Sequence, residues 1–232
     1  MSDPAPSVLE VRDLVCQRHL VALRVEQAAF ARGAFHLLLG EVESGHELLL
    51  RVLGLLEVPE AGEVFLDSVP TRCLSEEARL KLRERRLGFV FTAPFLLPAF
   101  TVIENVAMPL FKISDVEAAE ARNRSDALLD FVGLLDVAEV PCAQLAPLAQ
   151  HRVSLARALV NEPTALLIES LDSALAGEDL SVFSSLVRQA ATRFDVAVIA
   201  TASPRFAREP GDRAIELADG VIAFGEKLVP EP

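Results

Sequence analysis

Hydrophobic residues along this chain fall into two recurring patterns. Residues 8–14 alternate between apolar and polar, as a half-buried strand does, and residues 23–30 fit a second such strand. Residues 37–39, 88–91, 165–168 and 196–201 are short unbroken apolar runs, the pattern of strands in a parallel sheet covered on both faces. Residues 62–67 read as a strand entering a turn, and 214–217 with 221–224 as a terminal hairpin. Helical spacing fills the intervals. It covers 44–56, a charged and solvated helix at 75–86, and an amphipathic helix at 115–132 with Ala127, Leu128 and Phe131 on its apolar side. It also covers a segment including 153–159 and another at 179–191. Pro94, Pro98 and Pro109 break the rhythm from 94 to 109. Strand and helix alternate, which predicts an α/β fold with a mainly parallel central sheet. The helix-rich, proline-marked stretch at about 92–150 reads as a helical insert, leaving about 1–91 and 151–232 as the core of a single domain over 1–232. The tail from Lys227 is expected to be loose.

Composition narrows the classes. The 232 residues, 51% of them hydrophobic, suffice for one large core. The formal net charge of −12 argues against direct nucleic-acid binding, which needs clustered positive charge. Cys16, Cys73 and Cys142 are scattered, odd in number and without metal-ligand spacing. They read as reduced thiols of a cytoplasmic protein. The first six residues carry neither a basic region nor an apolar segment, so no signal peptide is expected. No apolar run reaches the roughly 18 residues of a membrane span. Arg51 interrupts one candidate, and Pro94 and Pro98 break up another.

The most informative chemistry lies just after residues 37–39. Gly40 and Gly45 stand between a strand and a helix at the spacing of a phosphate-binding loop, Gly-x4-Gly-Lys-Ser/Thr. Such a loop wraps backbone N–H groups around phosphates at a helix start. Its lysine adds fixed positive charge, and its hydroxyl holds magnesium. Here His46 stands in the lysine position and Glu47 in the hydroxyl position. Histidine, with an unperturbed pKa of about 6.5, is mostly neutral at pH 7 and reaches less far. Glu41, Glu43 and Glu47 add negative charge. A carboxylate about 4 Å from a phosphate oxygen is repelled by roughly 1 kcal/mol in water, and by several times that near a protein surface. Taken alone, the loop also fits a chance Gly-x4-Gly at a strand-to-helix turn.

Other segments bear on that choice. They are Leu87-Gly88-Phe89-Val90-Phe91, Leu96-Leu97-Pro98, Glu104-Asn105-Val106-Ala107-Met108-Pro109-Leu110, Arg152-Val153 with Leu155-Ala156-Arg157-Ala158-Leu159-Val160-Asn161-Glu162-Pro163, and Ala218-Asp219-Gly220. In their order and spacing, and over essentially its whole length, the chain resembles the ATP-binding subunits of ABC transporters, in particular the lipoprotein-release and macrolide-export type. The resemblance implies the ABC-type nucleotide-binding-domain fold: a mainly parallel central sheet, an N-terminal antiparallel β part and a helical subdomain. It implies ATP and magnesium as ligands. It also implies two partners, a transmembrane permease subunit and a second ATP-binding subunit in a homo- or heterodimer. The location implied is the cytoplasmic face of a bacterial inner membrane, with no span of the chain's own.

Carried over residue by residue, the family's functional groups are mostly replaced. Arg18 stands where the family stacks an aromatic ring on adenine, and Thr92 where a glutamine touches magnesium and water. The signature Leu-Ser-Gly-Gly-Gln is Leu145-Ala146-Pro147-Leu148-Ala149. The Asp-then-Glu pair is Glu169 and Ser170, Ser-Ala-Leu-Asp is Ser173-Ala174-Leu175-Ala176, and the switch histidine is Ala202. Glu169 is a mild change. Ser170 cannot act as a general base at pH 7, a loss that typically costs about 10²–10⁴-fold in rate. Ala202 cannot hydrogen-bond an outer phosphate. Pro147 lacks an N–H, and Leu148 adds bulk where glycine allows close approach. The expectation is a retained scaffold without turnover: no catalytic residue intact, Thr92 and Glu169 at metal-side positions with no metal bound, and no cofactor. By the same resemblance, Phe91, Phe95, Leu96, Leu97 and Phe100 fall in the permease-docking groove; the alternative is that they are subdomain core. Two other functional readings stay open, an active ABC transporter ATPase with atypical motifs and a soluble regulatory ABC-like protein.

Overall fold

The alternation of apolar runs and helical stretches resolves into ten strands and six α-helices among the described residues of the computed structural model, which are 7–113 and 116–225. In chain order they are β1 (Ser7–Arg18), β2 (Val21–Ala31), β3 (Phe35–Leu39), α1 (His46–Leu53), β4 (Ala61–Leu66), β5 (Val69–Pro70), α2 (Glu76–Arg86), β6 (Leu87–Val90), α3 (Val102–Ile113) and α4 (Ala118–Phe131). Two short 3-10 turns follow, Leu135–Val137 and Cys142–Gln144. The chain continues with α5 (Pro147–Leu159), β7 (Ala165–Ile168), α6 (Gly177–Arg193), β8 (Ala197–Ala202), β9 (Arg213–Ala218) and β10 (Val221–Gly225).

All ten strands join one mixed sheet in the order β5-β4-β1-β2-β10-β9-β3-β8-β7-β6. Its β9-β3-β8-β7-β6 part is parallel, and β1 pairs antiparallel with β2 and β4. Side chains of successive strand residues point to opposite faces. Accordingly Leu37 and Leu39 of β3 pack into one core with Ile168, Val198 and the helices α3 to α6, while Leu38 packs into the other with Leu167, Ile199 and α1. Every residue of β3, β7 and β8 is buried. Each fully buried Leu or Ile contributes roughly 1.5–3 kcal/mol over an exposed one, so these strand bodies hold the loops that follow them in fixed positions. That parallel arrangement puts the ends of β3, β7 and β8 side by side, with Leu39 opposite Ala202 and Ile168 opposite Ala200.

The charged helix predicted at 75–86 is α2. Ser75 caps it by accepting from the Ala78 N–H, Glu76 and Glu77 start it, and Arg83, Arg85 and Arg86 end it, with no residue buried. Four expectations are corrected. The helix expected over 44–56 stops at Leu53, because Gly54 ends it. The stretch from 94 to 109 is not wholly broken by its prolines: α3 runs through Pro109. The missing N–H of Pro109 removes one helical bond, and burial of Val102, Ile103, Val106 and Leu110 outweighs that loss. In α4 the buried residues are Ala121, Ser125, Leu128, Leu129 and Phe131, whereas Ala127 is exposed. The helix starts at Ala118 rather than 115; Ser114 and Asp115 lie outside the described residues, as do residues 1–6 and the tail from Lys227. The strand β5, only two residues long and including Pro70, was not foreseen.

Candidate functional site

Loops at the ends of β3, β7 and β8 converge. The loop from Gly40 to Gly45 is held at three points. The Gly40 N–H donates to the Ala202 carbonyl at 3.2 Å, the Ser44 N–H to the Glu41 carbonyl at 3.0 Å, and the Gly220 N–H to the Ser44 carbonyl at 2.9 Å. Gly45 has φ +98°, a left-handed conformation that leads directly into α1. Gly220, φ +77°, is forced by a different contact: a Cβ there would lie 1.6 Å from the Ala22 carbonyl oxygen. The turn after β9 is thereby pressed against both β2 and the loop.

The interior of the loop is filled by its own side chains. The Ser44 Oγ and His46 Nδ1 are 2.9 Å apart, and both residues are buried. A Cβ on Gly40 would lie 1.9 Å from Ser44 Oγ and 2.8 Å from His46 Nδ1, so these two groups occupy the space over Gly40. Burial holds the His46 imidazole below the usual histidine range; the carboxylates of Glu47, Asp172 and Glu41 pull the other way. The ring is therefore neutral at pH 7 and brings no cation to the loop.

Next to it, the Ser170 hydroxyl donates to Glu47 Oε1 at 2.8 Å, joining the start of α1 to the end of β7 across 123 residues of sequence. Ser170 itself has φ +46°, and its N–H donates to Thr201 Oγ1 at 2.7 Å. The Glu169 carboxylate accepts from the Thr92 hydroxyl at 3.3 Å and from the Thr92 N–H at 3.4 Å. Asp172 accepts from the Ser203 hydroxyl at 2.6 Å, just past Ala202, and Ala202 itself is buried. Hence Gly40, Gly45, His46, Glu47, Ser170 and Ala202 come together, with Thr92 and Glu169 paired alongside.

Ala146, Pro147 and Leu148 lie elsewhere, at the start of α5. Pro147 occupies the first helical position, where an N–H would have no helical partner in any case, so the proline suits this start. Ala146 offers no side-chain cap. The His151 ring, one turn on, sits between two carbonyl acceptors, with Nδ1 3.0 Å from the Pro147 carbonyl and Nε2 3.2 Å from the Thr92 carbonyl, and donates from whichever nitrogen carries the proton, which sets α5 beside the loop after β6.

At the adenine-side position Arg18 is committed to its neighbours. Its Nε donates to Glu57 at 2.8 Å, one Nη to Glu60 at 2.6 Å and the other to the Val58 carbonyl at 2.9 Å. Arg51 also bonds Glu57, at 3.0 Å. Arg18, Arg51 and Glu57, with Val42, Glu43, His46 and Glu47, line a cavity of about 450 Å³. A cavity of about 570 Å³ on the other side of the loop is lined by Glu41, Glu43, Glu216 and Asp219 among others. This lining does not fit a magnesium–polyphosphate ligand. Carboxylates face it from both sides, the side chains of Ser44 and His46 fill the cradle over Gly40, and both arginines at its rim are neutralised. Among the described residues no group of three or more His, Cys, Asp or Glu side chains is placed to hold a metal ion.

The segment after β6 is a separate site. Arg157 donates to the Phe95 carbonyl at 2.8 Å and the Pro94 carbonyl at 2.6 Å, and Asn105 bonds the Leu97 N–H and carbonyl at 2.8 and 3.0 Å. The clamped loop holds Phe95 69% exposed, with Leu97 and Phe100 also outward. Leu96 instead packs on the core, and Phe91 is half-buried between Phe89, stacked at 5.7 Å, and Phe95, edge-on at 5.8 Å. The five predicted residues thus divide. Both clamps were missed in the sequence; the only signal was that Asn105 and Arg157 sit within the family-like segments.

A ten-stranded mixed sheet with a glycine-framed loop between β3 and α1 defines a cassette of the nucleotide-binding α/β class. Comparison with known proteins narrows that class. The ABC transporter family profile matches residues 25–173. The lipoprotein-releasing system ATP-binding protein LolD of Paramagnetospirillum magneticum is 39% identical over 189 residues, covering 80% of this chain and 81% of that protein. The LolD of Saccharophagus degradans is 34% identical, covering 87% and 86%. The dimeric structure of MJ0796, a bacterial ABC transporter cassette, superposes with a TM-score of 0.79 at 26% identity, over 96% of this chain and 100% of that one. The fold also matches cbiO1 from Clostridium perfringens, with a TM-score of 0.83 at 22% identity over 94% of this chain and 87% of that one. The chain belongs to the ABC transporter family, and its fold is that of the family's ATP-binding cassette.

Proposed function

We propose that this chain is a catalytically silent cassette subunit of an ABC-type membrane transport complex. It docks on a transmembrane permease, pairs with a second ATP-binding subunit, and does not hydrolyse ATP. One observation carries the reading: Ser170 and Glu47, at the positions of the catalytic carboxylate and the magnesium-holding hydroxyl, bond each other at 2.8 Å. A hydroxyl stands where a base is needed, and a carboxylate stands where the metal's ligand is needed. Ala202 at the switch position adds no donor to an outer phosphate, and neutral His46 adds no charge. These losses act on the same step, so their effects do not add; together they leave nothing to activate water or stabilise the transferring phosphoryl group.

The partner assignment draws on the relatives named for lipoprotein release and on the clamped apolar loop with Phe95, Leu97 and Phe100 exposed. Such a loop suits burial against a permease helix, at the cytoplasmic face of the inner membrane. Among the described residues no helix is long and apolar enough to cross a membrane. We assign the core to about 1–91 and 151–232 and the helical subdomain to about 92–150, which contains α3, α4 and the start of α5.

A second reading, an active ATPase with atypical motifs, is favoured by the relatives, which are named ATP-binding proteins over about four-fifths of this chain. Phosphate release separates the two. With millimolar Mg–ATP, the purified chain is expected to release no phosphate above a buffer blank, alone or with its permease. Steady release that tracks the protein through purification supports the second reading instead.

A further inference from the structure

Charge alone is one way for this loop to reject phosphate, but the geometry points to another. We propose that the loop is latched shut from within. The His46 ring is an internal plug over Gly40, held there by Ser44, and the Glu47–Ser170 bond locks the start of α1 to the end of β7. This rests on the silent-cassette reading and gives the means by which that site would exclude a polyphosphate.

Four contacts support the latch. The ring and Ser44 Oγ fill the side of Gly40 that a side chain would occupy, where a single added carbon would collide at 1.9 and 2.8 Å. The plug is sealed: His46 is 7% exposed and Ser44 8%. The Glu47–Ser170 bond, at the open edge of the site, crosses from the loop's helix to the segment that follows the buried strand β7. The loop backbone is tied at both ends, by Gly40 to Ala202 and by Ser44 to Gly220. A phosphate entering this cradle has to expel a buried side chain and break two side-chain bonds. Repulsion by Glu41, Glu43 and Glu47 comes in addition.

Two variants separate the latch from charge. In Glu47→Gln the carboxylate charge is gone, yet the amide oxygen still accepts from Ser170. In Ser44→Ala/Ser170→Ala both latch bonds are gone and every charge remains. The probe is inorganic tripolyphosphate with magnesium, followed by calorimetry, with hydrogen exchange of the amides of residues 41–47 read in parallel. Both substitutions remove or alter polar atoms without opening the apolar core, and the melting temperature reports whether each variant is folded.

The latch account expects loop amides in the double alanine variant to exchange at least tenfold faster than in the unaltered chain. It also expects tripolyphosphate to bind that variant more tightly than Glu47→Gln by a similar factor. Unchanged exchange in the double variant, or equal gains in affinity from Glu47→Gln, overturns the latch and leaves the silent-cassette reading standing. Binding of Mg–ATP by the unaltered chain, with the loop amides exchanging freely, overturns both. If the double variant does not fold, Ser170→Ala alone decides the same exchange comparison.

Discussion

The bodies of β3, β7 and β8 and the loops that follow them obey different constraints. The bodies are buried along their whole length and sandwiched between two apolar cores. The loops and the first turn of α1 carry Glu41, Glu43, Glu47, Glu169, Ser170 and Ser203, and their geometry is set by a few polar bonds. Removing one of those bonds costs about 1 kcal/mol of stability, whereas truncating a core residue costs several. A fold of this kind can keep its strand bodies while the residues of its loops vary, because different residues hold the two.

The sharpest way to break that contrast is a core truncation. Leu167→Ala in β7, which removes a fully buried side chain, is expected to cost about 2–5 kcal/mol in urea unfolding. Ser170→Ala, three residues on, is expected to cost no more than about 1 kcal/mol. Comparable losses from both would place the loop within the folding core.

Next in size is a pH effect within the strand body. His36 in β3 is buried; its Nε2 accepts from the Ala31 N–H at 3.1 Å, and burial pushes its pKa down to about 4. The unfolded chain, with the ring near 6.5, takes up the proton first as pH falls. Stability from this group is therefore complete above about 6.5 and is lost between 6.5 and 4, by up to about 3 kcal/mol. Denaturation midpoints at pH 7 and pH 5 check it: the fall should shrink in His36→Phe.

Arg18→Ala tests the rim. Arg18 joins Glu57 and Glu60 at a partly exposed site, so about 1 kcal/mol is expected, shrinking in high salt. The smallest expected change in stability is that of Phe95→Ser, which removes an exposed ring. Its melting temperature should hold while co-purification with the permease falls. Unchanged association would move docking away from this loop.

Much of the strand body was legible in the sequence, because an unbroken apolar run such as 165–168 has one economical explanation, a strand covered on both faces. The Gly40–Gly45 frame was legible for a similar reason: its spacing is a backbone requirement. What could not be read were contacts set by tertiary position. Glu47 and Ser170 are 123 residues apart, and nothing in either segment announces the bond between them. The helix through Pro109 escaped notice because local propensity was overruled by burial of Val106 and Leu110. Ala127 was placed on the wrong face of α4, since its neighbours Leu128 and Leu129 already satisfy the core.

Equilibrium binding of Mg–ATP to the purified, unaltered chain is decisive, because it asks whether the loop between β3 and α1 receives nucleotide. A silent cassette gives no calorimetric heat and no rise in melting temperature at millimolar nucleotide. Saturable binding in the micromolar range, accompanied by phosphate release, would contradict it.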